Sequence, residues 1–101
     1  MILFRLIFMP KAAADLRDIQ DYIARDSRKN AEQMIARILD ALESLKEFPH
    51  RTVAERQNRR LKHPTRTLSV KPYVVYFRVI DEWRAVRILH VRHGARKRPR
   101  L

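Results

Sequence analysis

Tyr73-Val74-Val75-Tyr76-Phe77-Arg78-Val79-Ile80, followed by Asp81-Glu82-Trp83 and then Arg84 through Val91, is the stretch that decides the fold. From Val74 onward the first run is β-branched and aromatic with one interruption at Arg78, which favours a pleated strand. The three-residue polar gap is too short for anything but a tight connection. Two strand-like runs joined this way form an antiparallel hairpin. Residues 66–70 form another short run just upstream, so three consecutive strands are expected at about 66–70, 73–80 and 84–92. Gly94, the single glycine, breaks the last of them and frees the backbone to turn.

Working towards the N-terminus, residues 50–64 (HRTVAERQNRRLKHP) show little periodicity and read as a basic loop with a short helical turn around Ala54–Asn58. Phe48-Pro49 closes a helical region. A helix is predicted over about 28–47, with Ala31, Ile35, Ile38, Leu42 and Leu45 as its apolar stripe, broadened by Met34, Leu39 and Ala41. Asp26-Ser27 offers the side chain that caps its start. A preceding helix is predicted over 11–25, where Ala12, Leu16, Ile19 and Ile23 share one face while Asp15, Asp18 and Asp21 lie off it. Residues 2–9, apolar except for Arg5, are too short for a stable helix and read as a buried strand, stopped by Pro10. The predicted order is β-α-α-β-β-β: an α+β chain with a helical hairpin on one face of a four-stranded, mainly antiparallel sheet. The other face then carries Tyr76, Arg78 and Arg87 and is either solvated or covered by a partner.

The chain has 101 residues, 23 Lys+Arg, 11 Asp+Glu and no cysteine. This length is expected to make one domain. Residues 1–50 hold 8 basic and 8 acidic side chains, whereas residues 51–101 hold 15 basic and 3 acidic, so the second half carries the whole net charge of +12. Such asymmetry points to an anionic partner: nucleic acid, an acidic protein or an anionic surface. No disulfide or Cys-ligated metal is possible, which fits a reducing cytoplasm. No apolar run is long enough for a membrane span, and the short opening segment, interrupted by Arg5, does not read as a signal peptide. His50, His63, His90 and His93 lack metal-ligand spacing, and His90 and His93, three apart on a strand, are expected on opposite sides. One glycine cannot build a phosphate loop, and Ser27, Ser44 and Ser69 lack a nucleophile-elbow sequence. No cofactor is implied. What remains is Arg, Lys, His and Tyr around a sheet, a set suited either to metal-free RNA cleavage or to binding an acidic macromolecule without chemistry.

Several stretches together resemble the ParE branch of the RelE/ParE superfamily of type II toxin–antitoxin systems. They are Ala12 through Ile23 with Asp15, Leu16, Ile19, Tyr22 and Ile23; Ala31, Leu42, Leu45 and Phe48-Pro49; Arg66-x-Leu68-x-Val70; Tyr73 through Val79; and the ending His93-Gly94-Ala95-Arg96. The resemblance implies one toxin domain over residues 1–101, with the first strand joining the sheet of the last three. It also implies a ParD-like antitoxin with an acidic C-terminal segment, and contact with DNA only through the antitoxin complex.

Two mechanisms occur among proteins similar to this one. RelE-like members cleave mRNA on the ribosome with Lys and Arg on the sheet and a late Tyr. Here Thr65 and Thr67 stand where those nucleases carry lysines, Val74 stands at an arginine position, and no late Tyr follows Arg96. ParE-like members instead poison DNA gyrase, and the resemblance favours that reading: a growth-inhibiting cytoplasmic toxin that is not an enzyme. Residues expected at the target are Arg92, His93, Arg96, Lys97 and Arg98, and those expected at the antitoxin are Leu16, Ile19, Tyr22, Ile23, Tyr76 and Arg78. If the chain were a nuclease, Arg66, Arg92, His93 and Arg96 would carry the chemistry. A third alternative is a plain nucleic-acid-binding or regulatory module, although neither helix has the basic face of a recognition helix.

Overall fold

The computed structural model describes residues 3–54 and 61–95. It contains β1 (Arg5–Phe8), α1 (Pro10–Ala24), α2 (Arg28–Ser44), β2 (Val53–Ala54), β3 (Thr65–Val70), β4 (Tyr73–Ile80) and β5 (Ala85–His93), with 3-10 turns at Pro49–Arg51 and Asp81–Trp83. The predicted β-α-α-β-β-β order is recovered, and one short strand is added. Val53–Ala54, expected in a loop with a helical turn, instead pairs antiparallel with Arg66 and Thr67; the rest of that expected turn lies outside the described residues. The sheet order is β1-β5-β4-β3-β2. β1 runs parallel to β5, and the other pairings are antiparallel.

Local chemistry sets the element boundaries. Pro10 occupies the first turn of α1, where its missing N–H is not needed. Ser27 caps α2 by accepting the Asn30 N–H at 3.1 Å. Both helices lay their apolar stripes on the same sheet face. Ala12 and Ile19 from α1, with Met34, Ile38 and Leu42 from α2, meet Val75, Phe77, Val79, Val86, Ile88 and Val91 in the buried core. Leu16 and Ile23 are half-buried against it.

Strand β5 carries an irregularity that makes this core possible. Phe77 pairs with Ile88 and Tyr76 with His90, so Leu89 is an extra residue. With Leu89 bulged, Ile88 and Val91, three apart in sequence, both face the helices. The glycine after β5 is explained by space and not by the expected turning freedom. Gly94 has no positive φ. Its N–H donates to the Pro72 carbonyl at 2.7 Å, and a Cβ there would lie 3.2 Å from that oxygen.

The expectation that Asp15 lies off the buried face of α1 is corrected: it is 8% exposed. Parallel pairing of β1 with β5 stops at Phe8–Ile88, because the chain turns into α1 at Pro10. Past that point β5 has a backbone edge without a strand beside it. Asp15 reaches it, and its Oδ2 accepts the Val91 N–H at 3.0 Å while its Oδ1 pairs with Lys11 at 2.9 Å. The His90 Nδ1 is buried 3.7 Å from Asp15 Oδ2 and has no hydrogen-bond partner among the described residues. Burial holds the His90 pKa below its ordinary value; Arg92 and Lys11 push the same way and Asp15 opposes them.

Two outcomes follow from this cluster. Asp15→Ala leaves the Val91 N–H buried without an acceptor, so unfolding stability should fall by about 1–3 kcal/mol, whereas Asp15→Asn, which keeps an acceptor oxygen, should lose less. Urea denaturation of the purified variants measures the difference. For His90 the folded state disfavours the proton, so the unfolded chain takes it up first as pH falls through the ordinary value of 6.5. Stability should therefore decline on acidification from pH ~7 towards ~5.5, and His90→Gln should flatten that part of the curve.

Candidate functional site

The sheet face turned away from the helices follows from the strand register. Residues paired with core positions point to the helices, and their neighbours point away. On the outer face, one row across the sheet runs Ile7, Arg87, Arg78, Thr65. The adjoining rows hold Ala85 with Ile80, then His90, Tyr76 and Thr67, then Arg92, Val74 and Ser69. The face was expected to present Tyr76 as a contact, but Tyr76 is only 7% exposed. Ile80, Ala85 and Thr65 are also buried. Arg78 and Arg87 are half-buried above this layer. The Arg78 Nε donates to Thr65 Oγ1 at 3.3 Å, and the Arg87 Nη2 approaches Met9 Sδ at 3.6 Å. Neither arginine has a carboxylate partner among the described residues.

Arg66 does not belong to this face. Its register partner is Phe77, so it points to the helix side. There its Nη1 donates to the carbonyls of Thr52 at 2.6 Å and His50 at 3.3 Å, holding the 3-10 turn and β2 in place. Its guanidinium is thus on the opposite side of the sheet from Arg92.

A second feature is a cleft of about 480 Å³ between α1 and the end of β5. Lys11, Asp18, Tyr22, Arg25, Arg92 and His93 are among its lining residues. Tyr22 is 67% exposed beside it. Ile19, expected at a partner contact with Leu16, Tyr22 and Ile23, is instead a core residue at 9% exposure. The His93 ring sits edge-on to Tyr73 with centroids 5.6 Å apart, and its Nδ1 accepts the Ala95 N–H at 3.1 Å. Thus Arg92 and His93 meet at one rim, while Arg96, Lys97 and Arg98 lie outside the described residues.

The opposite end of the sheet is tied down by charge. His50 Nε2 lies 2.8 Å from Asp81 Oδ1, and His63 Nε2 lies 3.0 Å from Glu82 Oε2, with Lys62 at 3.5 Å from the same oxygen. The hydrogen bond from His63 lowers the Glu82 pKa. Arg84, in the left-handed region at φ 49°, ends the turn and sets its guanidinium 5.7 Å from the centroid of the Phe4 ring. Trp83 is exposed there.

Asp15 and His90 were missed as a cluster by sequence reading. The available signal was an acid three residues after Ala12 and four before Ile19, which is a buried helical position. Arg87 was legible as an outer-face residue, but its pairing with Arg78 needed the register.

Comparison with known proteins places these features in a family. The model of the ParE toxin of the type II toxin–antitoxin system, parDE, matches residues 6–98. Toxin RelE2 of Caulobacter vibrioides is 36% identical over 93 residues, covering 91% of this chain and 97% of that protein. Among solved structures, the chromosomal ParDE system of P. aeruginosa is similar with a TM-score of 0.68 and 26% identity, covering 92% of this chain and 98% of the other. The RelBE2 toxin–antitoxin complex of Mycobacterium tuberculosis shares the fold, with a TM-score of 0.64, 24% identity and coverage of 91% and 99%. No helix among the described residues is long and apolar enough to cross a membrane.

Proposed function

The chain belongs to the ParE toxin family of type II toxin–antitoxin systems, and from that premise we propose that it arrests growth by binding DNA gyrase and that a ParD-like antitoxin neutralises it. The observation that carries the non-enzymatic reading is the composition of the outer sheet face. At the places where similarity to the nuclease branch would require lysines and an arginine, the face has Thr65, Thr67 and Val74. Thr65 is fully buried and its hydroxyl is taken by Arg78, so it cannot reach a substrate. Arg66 is turned to the helix side. Arginines can stabilise a phosphorane-like charge, but cleavage also needs an adjacent proton donor and acceptor. Tyr76, the phenol at the centre of the face, is buried.

The contact with gyrase is assigned to the rim formed by Arg92 and His93 and to the basic Arg96, Lys97 and Arg98 that follow in sequence. The antitoxin contact is assigned to exposed Tyr22, the half-buried Leu16 and Ile23 beside it, and Arg78. Solved relatives described as ParDE and as a RelBE2 toxin–antitoxin complex support an antitoxin partner. Any DNA contact is then made through that complex. The second reading, ribosome-dependent mRNA cleavage, is favoured by one observation: the similar C. vibrioides protein carries the name RelE2.

One paired assay separates the two. Purified protein should inhibit supercoiling by gyrase and leave mRNA on programmed ribosomes intact. Codon-linked cuts on the ribosome with unaffected supercoiling would replace the gyrase reading with the nuclease one.

A further inference from the structure

Leu3, Phe48 and Trp83 are large apolar side chains that stand exposed, and all three gather at one end of the sheet around the ring of Phe4. That ring lies edge-on to His50 with centroids 6.2 Å apart, and the guanidinium of Arg84, the residue after Trp83, sits 5.7 Å from its centre. Phe4, Phe48 and Pro49 also line an open hollow of about 630 Å³, bordered by Glu47, His50 and Arg51. Phe48 is 63% exposed and Trp83 is 54% exposed. Both rings stand on braced turns. Arg51 Nη1 donates to the carbonyls of Phe48 at 2.8 Å and Ser44 at 3.2 Å. His50 ties that turn to Asp81, and His63 meets Glu82, on the turn that carries Trp83. Neither turn needs an exposed ring to close, because other residues supply the bonds that fix it. An apolar cluster on a backbone already held in place marks an interaction surface, since little conformational freedom is lost when it is covered.

We infer that this end of the sheet is a self-association surface, on which a second copy of the chain docks across a two-fold axis with the Trp83 ring of each copy entering the hollow beside Phe4 and Phe48 of the other. Charge selects the occupant. The chain carries a net +12, and Arg78, Arg87 and Arg92 make the outer sheet face cationic, so two copies repel one another there. Residues 43–51 and 81–84 differ: they hold three bases, Lys46, Arg51 and Arg84, and four acids, Glu43, Glu47, Asp81 and Glu82. Lys46 pairs with Glu43 at 2.8 Å, and the two acids of the turn are engaged by His50 and His63. Two copies can therefore approach at this end without a like-charge cost. Shape points the same way. A two-fold contact uses one patch twice, so the patch must carry both a protrusion and a recess. Trp83 supplies the first and the hollow beside Phe4 the second. Tryptophan is also among the side chains that contribute most when buried at a protein contact. The nine residues of β5, about 30 Å of extended chain, separate this end from His93, which leaves the Arg92–His93 rim of each copy open. The inference stands apart from the gyrase reading.

The test follows the mass of the purified full chain by sedimentation velocity from about 2 to about 200 μM. The mass should climb from the 12.1 kDa of one chain towards twice that value. Raising the salt from about 0.1 to about 0.5 M should strengthen the association or leave it unchanged, because screening removes the repulsion between two cationic chains while the contact itself is apolar. Trp83 is the single tryptophan and gives a second readout: its emission should move to shorter wavelength over the same concentration range as the indole leaves water. Phe48→Glu and Trp83→Glu should each weaken the association about ten-fold or more. Leu39→Glu, which adds the same charge at an exposed apolar position of α2, should alter it less than about two-fold. All three changes are at exposed side chains, so the melting temperatures should stay close to that of the parent. The mass of one chain across the whole range would overturn the inference. Association without a Trp83 shift, or association lost equally in all three variants, would do the same, because the copies would then meet elsewhere. A chain that stays monomeric and whose Trp83 emission shifts only when gyrase is added would give the patch to that protein and not to a second copy.

Discussion

Strand β5 outlasts its parallel neighbour, and the rest of the structure is arranged around that mismatch. β1 can pair with β5 only as far as Phe8, because Pro10 commits the chain to a helix. β5 continues to His93. A buried backbone N–H left at that edge would cost free energy comparable to a lost hydrogen bond. Asp15 supplies the missing acceptor and so fixes α1 against β5 in one position along its axis. The position of α1 carries that of α2, since the two share the core with Phe77 and Ile88. The bulge at Leu89 belongs to the same solution, because it brings Val91 onto the core side as its N–H meets Asp15.

Charge is segregated by element. The acids of the described residues sit on helices, their ends and the Asp81–Trp83 turn, and the strands carry only cations. One consequence is internal: Lys11 and Asp15 can pair on α1 beside the sheet edge. The other is external. Among the described residues the outer sheet face has cross-strand arginines and no acid, which makes its local field positive.

The two ends of the sheet are built differently. At the β4–β5 turn, His50 and His63 come from separate segments and grip adjacent carboxylates, so a charged turn is held without a large apolar contribution. At the other end the cleft beside α1 is left open, with Tyr22, Arg92 and His93 at its border. Both ends keep open space, beside α1 at this one and around Phe4, Phe48 and His50 at the other.

Much of this was legible from the chain alone. The β-branched run at 73–80 with its polar gap gave the hairpin, and the 3.6-residue stripes with Pro10, Ser27 and Pro49 gave the helical pair within a few residues of its observed bounds. These are local effects, set by propensity and periodicity. The concentration of positive charge in the second half was equally plain from the chain. Tertiary structure alone decided what depends on register and on neighbours distant in sequence. It turned Arg66 inward to the Thr52 carbonyl and buried Tyr76 on a face expected to be open. It also set Arg87 opposite Arg78 and placed Asp15 against Val91, 76 residues away. A one-residue change of pairing inverts which side of a sheet a residue occupies, and the bulge at Leu89 makes such a change inside β5. No local pattern encodes that shift. It arises only when the helices, the sheet edge and the Val91 N–H must be satisfied together.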